Sequence, residues 1–228
     1  MKKEREHPWV VVVQEMLSPL AHPPSAAAMS AYMKDQFPFL GIKKPHRLKA
    51  LHGLLSKEGR PDPEDTALIC QQLWALPERE YAMVGIELLR VQRRFLSLED
   101  WPWLLSLVHQ RTWWDTVDYL ATDPMGRTLL IEPHQLEKWG DPLVYSSNPW
   151  DNRVAMLLQL HWKDKTNEAF LEKALAHHAK SPWFFHKKAI GWALRQYGRT
   201  NPEWVRAFVD KYKNTLSGLS IREATRKL

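Results

Sequence analysis

The chain has 228 residues, 44% hydrophobic and 25% charged. Those proportions suit one globular domain or two small ones and exclude a disordered chain, a collagen-like chain and a membrane bundle. Lysine and arginine number 32 against 26 acidic residues, a net charge of +6 that admits a polyanionic partner without requiring one. A single cysteine, Cys70, excludes an internal disulfide framework and a cysteine-rich zinc site. It points to a reducing, intracellular setting. The 12 tryptophans exceed what a core needs, so some are expected on working surfaces.

The opening segment Met1-Lys2-Lys3 is basic, but the apolar run at residues 9–13 is too short to span a membrane and lacks a secretory cleavage site. A soluble, cytoplasmic protein is expected. Apolar residues then recur at helical steps: Leu68, Ile69, Leu73, Trp74 and Leu76, followed by Val84, Ile86, Leu88, Leu89 and Val91. Val154, Leu157, Leu158 and Leu160 continue the pattern, as do Ala189, Ile190, Trp192, Ala193 and Leu194. No sustained alternation and no Asn-Gly or Asp-Gly hairpin signal occurs. The chain is predicted to be all-α.

Sixteen prolines against 9 glycines supply the punctuation. Asp62-Pro63, Asp100-Trp101-Pro102, Asn148-Pro149, Ser181-Pro182 and Asn201-Pro202 each place a capping residue at or near a proline, the pattern of a helix start. Four starts recur: Leu76-Pro77-Glu78-Arg79, Thr112-Trp113-Trp114-Asp115, Asn148-Pro149-Trp150-Asp151 and Ser181-Pro182-Trp183-Phe184. Their second residues lie 36, 36 and 33 apart. That period predicts an α-solenoid of antiparallel helix pairs, residues 1–228 forming one domain with a concave ligand-binding face. Chance spacing of helix starts in an ordinary all-α domain is the competing explanation.

Residues 181–228 carry ten basic and three acidic side chains, so they hold +7 and the rest of the chain −1. Trp183, Phe184, Phe185 and Trp192 interleave with those charges, Lys187 and Lys188 among them. Such a mixture fits contact with a nucleic-acid backbone; a solvated helix surface is the plainer alternative. The densest candidate site is Thr112-Trp113-Trp114-Asp115-Thr116-Val117-Asp118. On a helix Trp114 and Asp118 share a face, an indole beside a carboxylate that can cradle a cation, while Asp115 points elsewhere. The ordinary reading is a core tryptophan and a surface acid.

The run Trp113-Trp114-Asp115-Thr116-Val117-Asp118 resembles the signature of the AlkD family of DNA alkylation-repair glycosylases, built of HEAT-like repeats. Further matching segments are Phe37-Pro38-Phe39-Leu40-Gly41-Ile42-Lys43-Lys44-Pro45-His46-Arg47, Leu73-Trp74-Ala75-Leu76-Pro77-Glu78-Arg79-Glu80, Lys188-Ala189-Ile190-Gly191-Trp192-Ala193-Leu194-Arg195-Gln196-Tyr197 and Leu219-Ser220-Ile221-Arg222-Glu223-Ala224. The resemblance implies an enzyme acting on double-stranded DNA that contains alkylated purines; the sequence itself gives no sign of a cofactor, metal, membrane or protein partner, and a monomer is expected. Asp118 takes the position of the catalytic carboxylate, and Trp114 and Trp192 those of the two cleft tryptophans. Arg153 and, on a shorter match, Tyr32 fall on DNA contacts; Arg195, Phe184 and Phe185 fall on the DNA side. His161 stands where the family can place a lysine. Relatives that bind DNA without catalysis exist, so a non-catalytic DNA- or protein-binding module is the alternative. His177 and His178 lack partners at metal-ligand spacing and are expected on a helix surface. Cys70 is expected in the core.

Overall fold

Proline and a polar cap open helix after helix. In α1 (Pro8–Leu17), α2 (Pro23–Tyr32), α10 (Pro149–Leu157) and α13 (Pro202–Tyr212) a proline fills the first position. The side chains of His7, His22, Asn148 and Asn201 accept a first-turn N–H in each. The structure, a computed structural model, describes residues 5–228, so the basic segment Met1-Lys2-Lys3 lies outside the described residues. Between these helices run α3 (Lys44–Glu58), α4 (Thr66–Ala75), α5 (Arg79–Gln92), α6 (Trp101–His109), α7 (Trp114–Leu120), α8 (Gly126–Ile131), α9 (Leu136–Val144), α11 (Glu168–His177) and α12 (Phe184–Tyr197), and α14 (Gly218–Thr225) closes the chain. The described residues form helices and no strand.

Several expected starts are displaced: Asp62-Pro63 opens only a short 3-10 turn ahead of α4, and α5 begins at Arg79, two residues beyond Pro77. Ser181-Pro182 does not open α12; Ser181 Oγ instead accepts the Trp183 N–H at 3.3 Å, and the helix begins at Phe184. The helices α5, α7, α10 and α12 therefore start at residues 79, 114, 149 and 184, a uniform 35-residue step. This is more regular than the proline and tryptophan markers suggested.

The chain divides into two compact units. The first runs to Leu96 and includes His109–Arg111. In it α4 packs on α5, and α1 on α3 and α4, around Val10, Leu17, Ile69, Cys70, Leu73, Trp74 and Leu89. Cys70 is a core thiol whose pKa burial pushes up. A buried carboxylate fixes the turn ahead of α3: Glu80 accepts the backbone N–H groups of Leu40, Gly41 and Ile42 at 2.9, 2.8 and 2.9 Å. Gly41 has φ +87°, and a Cβ there would stand 2.2 Å from the His22 carbonyl oxygen, so only glycine fits.

The second unit holds Ser97–Val108 and Thr112–Leu228. Within it α7, α10, α12 and α14 pack in succession as one layer, while α9, α11 and α13 form another. The four-residue link between α9 and α10 makes that pair antiparallel. Ion pairs join the second layer: Lys173 of α11 holds Asp141 of α9 at 3.0 Å, and Lys211 of α13 holds Glu172 of α11 at 2.6 Å. This is an α-solenoid-like arrangement. No described helix is long and apolar enough to cross a membrane.

Glu80→Ala leaves three N–H groups without their acceptor, two of them in buried bonds. A loss of about 3 kcal/mol or more is expected by chemical denaturation, with Glu80→Gln milder because it keeps one acceptor oxygen.

Candidate functional site

Helix α7 is short and held at both ends. Trp113 enters with extended backbone (φ −157°), and Thr116, Val117 and Leu120 bury one face completely. A π-helical turn at Ala121–Met125 follows, containing Pro124. Proline has no N–H and crowds the preceding turn, which a wider turn relieves. Thr122 Oγ1 donates to the Asp118 carbonyl at 2.7 Å, so the acid sits where the α-helix gives way. Trp114 and Asp118 lie on the half-buried side opposite the core face, as their spacing predicted.

Helix α10 presents the partner. The Asn152 amide donates to the carbonyls of Leu143, Val144 and Ser146 at 2.9, 3.2 and 2.9 Å, satisfying the end of α9 and locking the helix pair. The next residue, Arg153, closes a bidentate pair on Asp118, with Nε to Oδ1 at 2.6 Å and Nη2 to Oδ2 at 2.7 Å. Its Nη1 donates to the Phe185 carbonyl. The guanidinium also lies over the Phe185 ring, 5.8 Å from its centroid. Only 5% of the Arg153 side chain is exposed, against 15% for Asp118. Burial raises the Asp118 pKa above the usual carboxylate value; the Arg153 hydrogen bonds and charge pull it back, and nearby Asp115 adds a further rise.

Arg153, expected as a phosphate contact, is thus buried and engaged with the carboxylate in the free protein. Phe185 supports it with both carbonyl and ring, while its neighbour Phe184 is exposed. Trp192 lies half-buried on α12, seven residues beyond Phe185 and on the same side of that helix. Lys187 and Lys188 are half-buried, and Lys188 and Arg195 both hold Glu223. His161 is exposed. Tyr32 belongs to the first unit, exposed at the end of α2.

Sequence reasoning used Trp150 only as a mark of a helix start, Trp113 also as part of the candidate run before Asp118, and Trp183 also as an aromatic among the basic residues. They line up across the repeats. Trp113 lies 6.0 Å from Trp150, and Trp150 4.8 Å from Trp183. Phe185 packs against all three at 5.3, 5.0 and 5.1 Å between centroids. This aromatic row stands beside the Asp118–Arg153 pair and holds Phe185 in place. Next to it, His186 bridges Ser181 Oγ and the Pro149 carbonyl, each at 2.9 Å. Burial, only partly offset by the Pro149 carbonyl, pushes its pKa down to about 4, so it is a neutral strut between α10 and α12. His177 is exposed, but His178 is half-buried with Nε2 on the Val144 carbonyl at 2.9 Å. No cluster of three metal-ligating side chains occurs among the described residues.

A carboxylate held in one orientation on the same helix face as a half-buried indole can stabilise positive charge that develops next to it. The profile of the family described as DNA alkylation repair enzyme matches residues 13–228. A solved structure described as a predicted DNA alkylation repair enzyme from Enterococcus faecalis is 36% identical, with a TM-score of 0.83. The match covers 91% of this chain and 96% of that one. No curated protein matches.

Removing the guanidinium in Arg153→Met leaves a buried carboxylate without its counter-charge. The expected cost is about 3–5 kcal/mol near neutral pH. Protonating Asp118 relieves that penalty. The stability gap to the native protein therefore narrows as pH falls through the variant's Asp118 pKa, which lies above the native one because the lowering by Arg153 is gone, and it stops narrowing once native Asp118 is protonated as well. Denaturant titrations of both proteins across pH measure the gap.

Proposed function

The chain belongs to the DNA alkylation repair enzyme family, and from that premise we propose that it is an alkylpurine DNA glycosylase of the AlkD type, hydrolysing the N-glycosidic bond of cationic N3- and N7-alkylated purines in duplex DNA. The observation that carries this reading is the half-buried Asp118 carboxylate, fixed by Arg153 on the same helix face as Trp114.

The substrate explains why so little machinery is needed. A purine alkylated at N3 or N7 already bears a positive charge and is a good leaving group. When the bond from C1′ to the base nitrogen breaks, its electron pair stays with the base, which leaves neutral. Positive charge then grows on the deoxyribose. Asp118 offsets that charge, and the Arg153 grip keeps the carboxylate from turning away. Water adds to C1′ and gives up a proton, which Asp118 can accept. Trp114 and Trp192 bracket the lesion sugar and backbone, each contributing roughly 0.5–2 kcal/mol of cation–π attraction. Arg195, Lys187 and Lys188 face the phosphates. Because α7, α10 and α12 offer the acid on a helix face, selection rests on the charge and lability of the lesion rather than on enclosing the base. Bulky cationic adducts fit the same logic.

A base-release assay is expected to show 7-methylguanine and 3-methyladenine leaving and uracil retained; equal release of uracil contradicts selection by charge. Asp118→Asn is expected to remove most excision, by about a hundredfold or more, while duplex binding persists. The reaction needs ionised Asp118. Release should therefore decline toward acid pH with a midpoint above the usual 3.8, since burial raises this pKa. The midpoint should be missing from the residual activity of Asp118→Asn.

A further inference from the structure

The 35-residue step places four charged side chains at one register of the α7–α10–α12–α14 layer: Asp118, Arg153, Lys188 and Glu223. They pair across neighbouring helices. Asp118 meets Arg153, and Lys188 Nζ meets Glu223 Oε1 at 3.3 Å. The second pair differs from the first in two ways. Glu223 holds two cations, since its other oxygen accepts from Arg195 Nη1. It is also far more open, with 40% of the Lys188 side chain exposed against 5% for Arg153.

The surroundings of Glu223 are cationic. Arg199 and Arg226 stand near enough to Arg195 to lower its pKa, adding to the effect of burial. Backbone packing brings the acid to this place. A Cβ on Gly191 of α12 would stand 2.5 Å from Glu223 Cβ and 3.2 Å from the Ser220 carbonyl, so glycine lets α14 close onto α12. Ser220 Oγ donates to the Lys187 carbonyl at 2.9 Å and fixes that approach. One carboxylate thereby offers its two oxygens to two cations, the arrangement a phosphodiester oxygen pair adopts between basic side chains.

We propose that Lys188 and Arg195 form a phosphate-binding site for the duplex backbone, occupied in the DNA-free protein by Glu223 as an internal phosphate mimic. A backbone phosphate then takes the place of the carboxylate, which raises the threshold for binding DNA and weakens nonspecific retention. The inference rests on the DNA-binding reading above, which already gives Lys188 and Arg195 to the phosphates, and adds their resident competitor.

The test is fluorescence anisotropy with an undamaged duplex over a salt series. Glu223→Gln is expected to bind roughly tenfold tighter at low salt with a similar slope of log affinity against log salt, because the same phosphate is neutralised in both proteins. Arg195→Gln is expected to bind more weakly with a slope shallower by about one, and the double variant should lose most of the gain. An interhelical strut alone predicts that Glu223→Gln binds no tighter; that result overturns the proposal. If Glu223→Gln fails to fold by circular dichroism, an unchanged slope in Arg195→Gln overturns it instead. A native protein that binds no duplex overturns the DNA reading itself, whereas native binding with an indifferent Glu223→Gln overturns this inference alone.

Discussion

The bidentate contact between Asp118 and Arg153 sets the character of the whole site. A carboxylate in a largely desolvated position pays heavily for its charge unless a partner is held against it. Here the partner is itself buried and fixed from a third helix through the Phe185 carbonyl. Three successive helices of one layer thus hold a single side chain in place, and the aromatic row of Trp113, Trp150 and Trp183 packs around the residue that completes the chain of contacts. The same desolvation that raises the Asp118 pKa strengthens its interaction with any positive charge brought alongside.

The repeat is what makes such a contact possible. Parallel-running helices spaced 35 residues apart bring equivalent positions side by side, so one register becomes a row of charges and another a row of rings. The row at Asp118, Arg153, Lys188 and Glu223 is balanced: two acids and two bases, each engaged. The basic excess of residues 181–228 is consequently less available in the free protein than its arithmetic suggests. In the first unit the same economy appears in a different form, with Glu80 gathering three backbone donors to shape the turn ahead of α3.

Much of this was legible in the sequence, and the parts that were not have a common cause. The all-α class followed from helical periodicity and proline caps, because those are local signals. Trp114 and Asp118 on one face followed from their spacing of four. The Arg153 contact with Asp118 escaped a helix-by-helix reading because it joins residues 35 apart; adding the repeat length to 118 would have reached 153, 188 and 223 in turn. The markers hid that length, since Ser181-Pro182 precedes its helix by more than Asn148-Pro149 does. Trp150 served only as punctuation and Trp183 also as a nucleic-acid contact, because a lone tryptophan near a cap says nothing of its neighbours across the layer. The π turn had a signal too, in Pro124 six residues beyond Asp118, though only the backbone reveals how the helix accommodates it.

If the fixed carboxylate works by meeting positive charge on the sugar, the protein should prefer a sugar that carries such charge permanently. Duplex affinity can be compared for a site bearing a cationic 1-aza-deoxyribose and one bearing the neutral tetrahydrofuran analogue, in the native protein and in Asp118→Asn. The account predicts at least a tenfold preference for the cationic site in the native protein and its disappearance in the variant. Equal affinity for the two analogues, or a preference that survives the loss of the carboxylate, would contradict it.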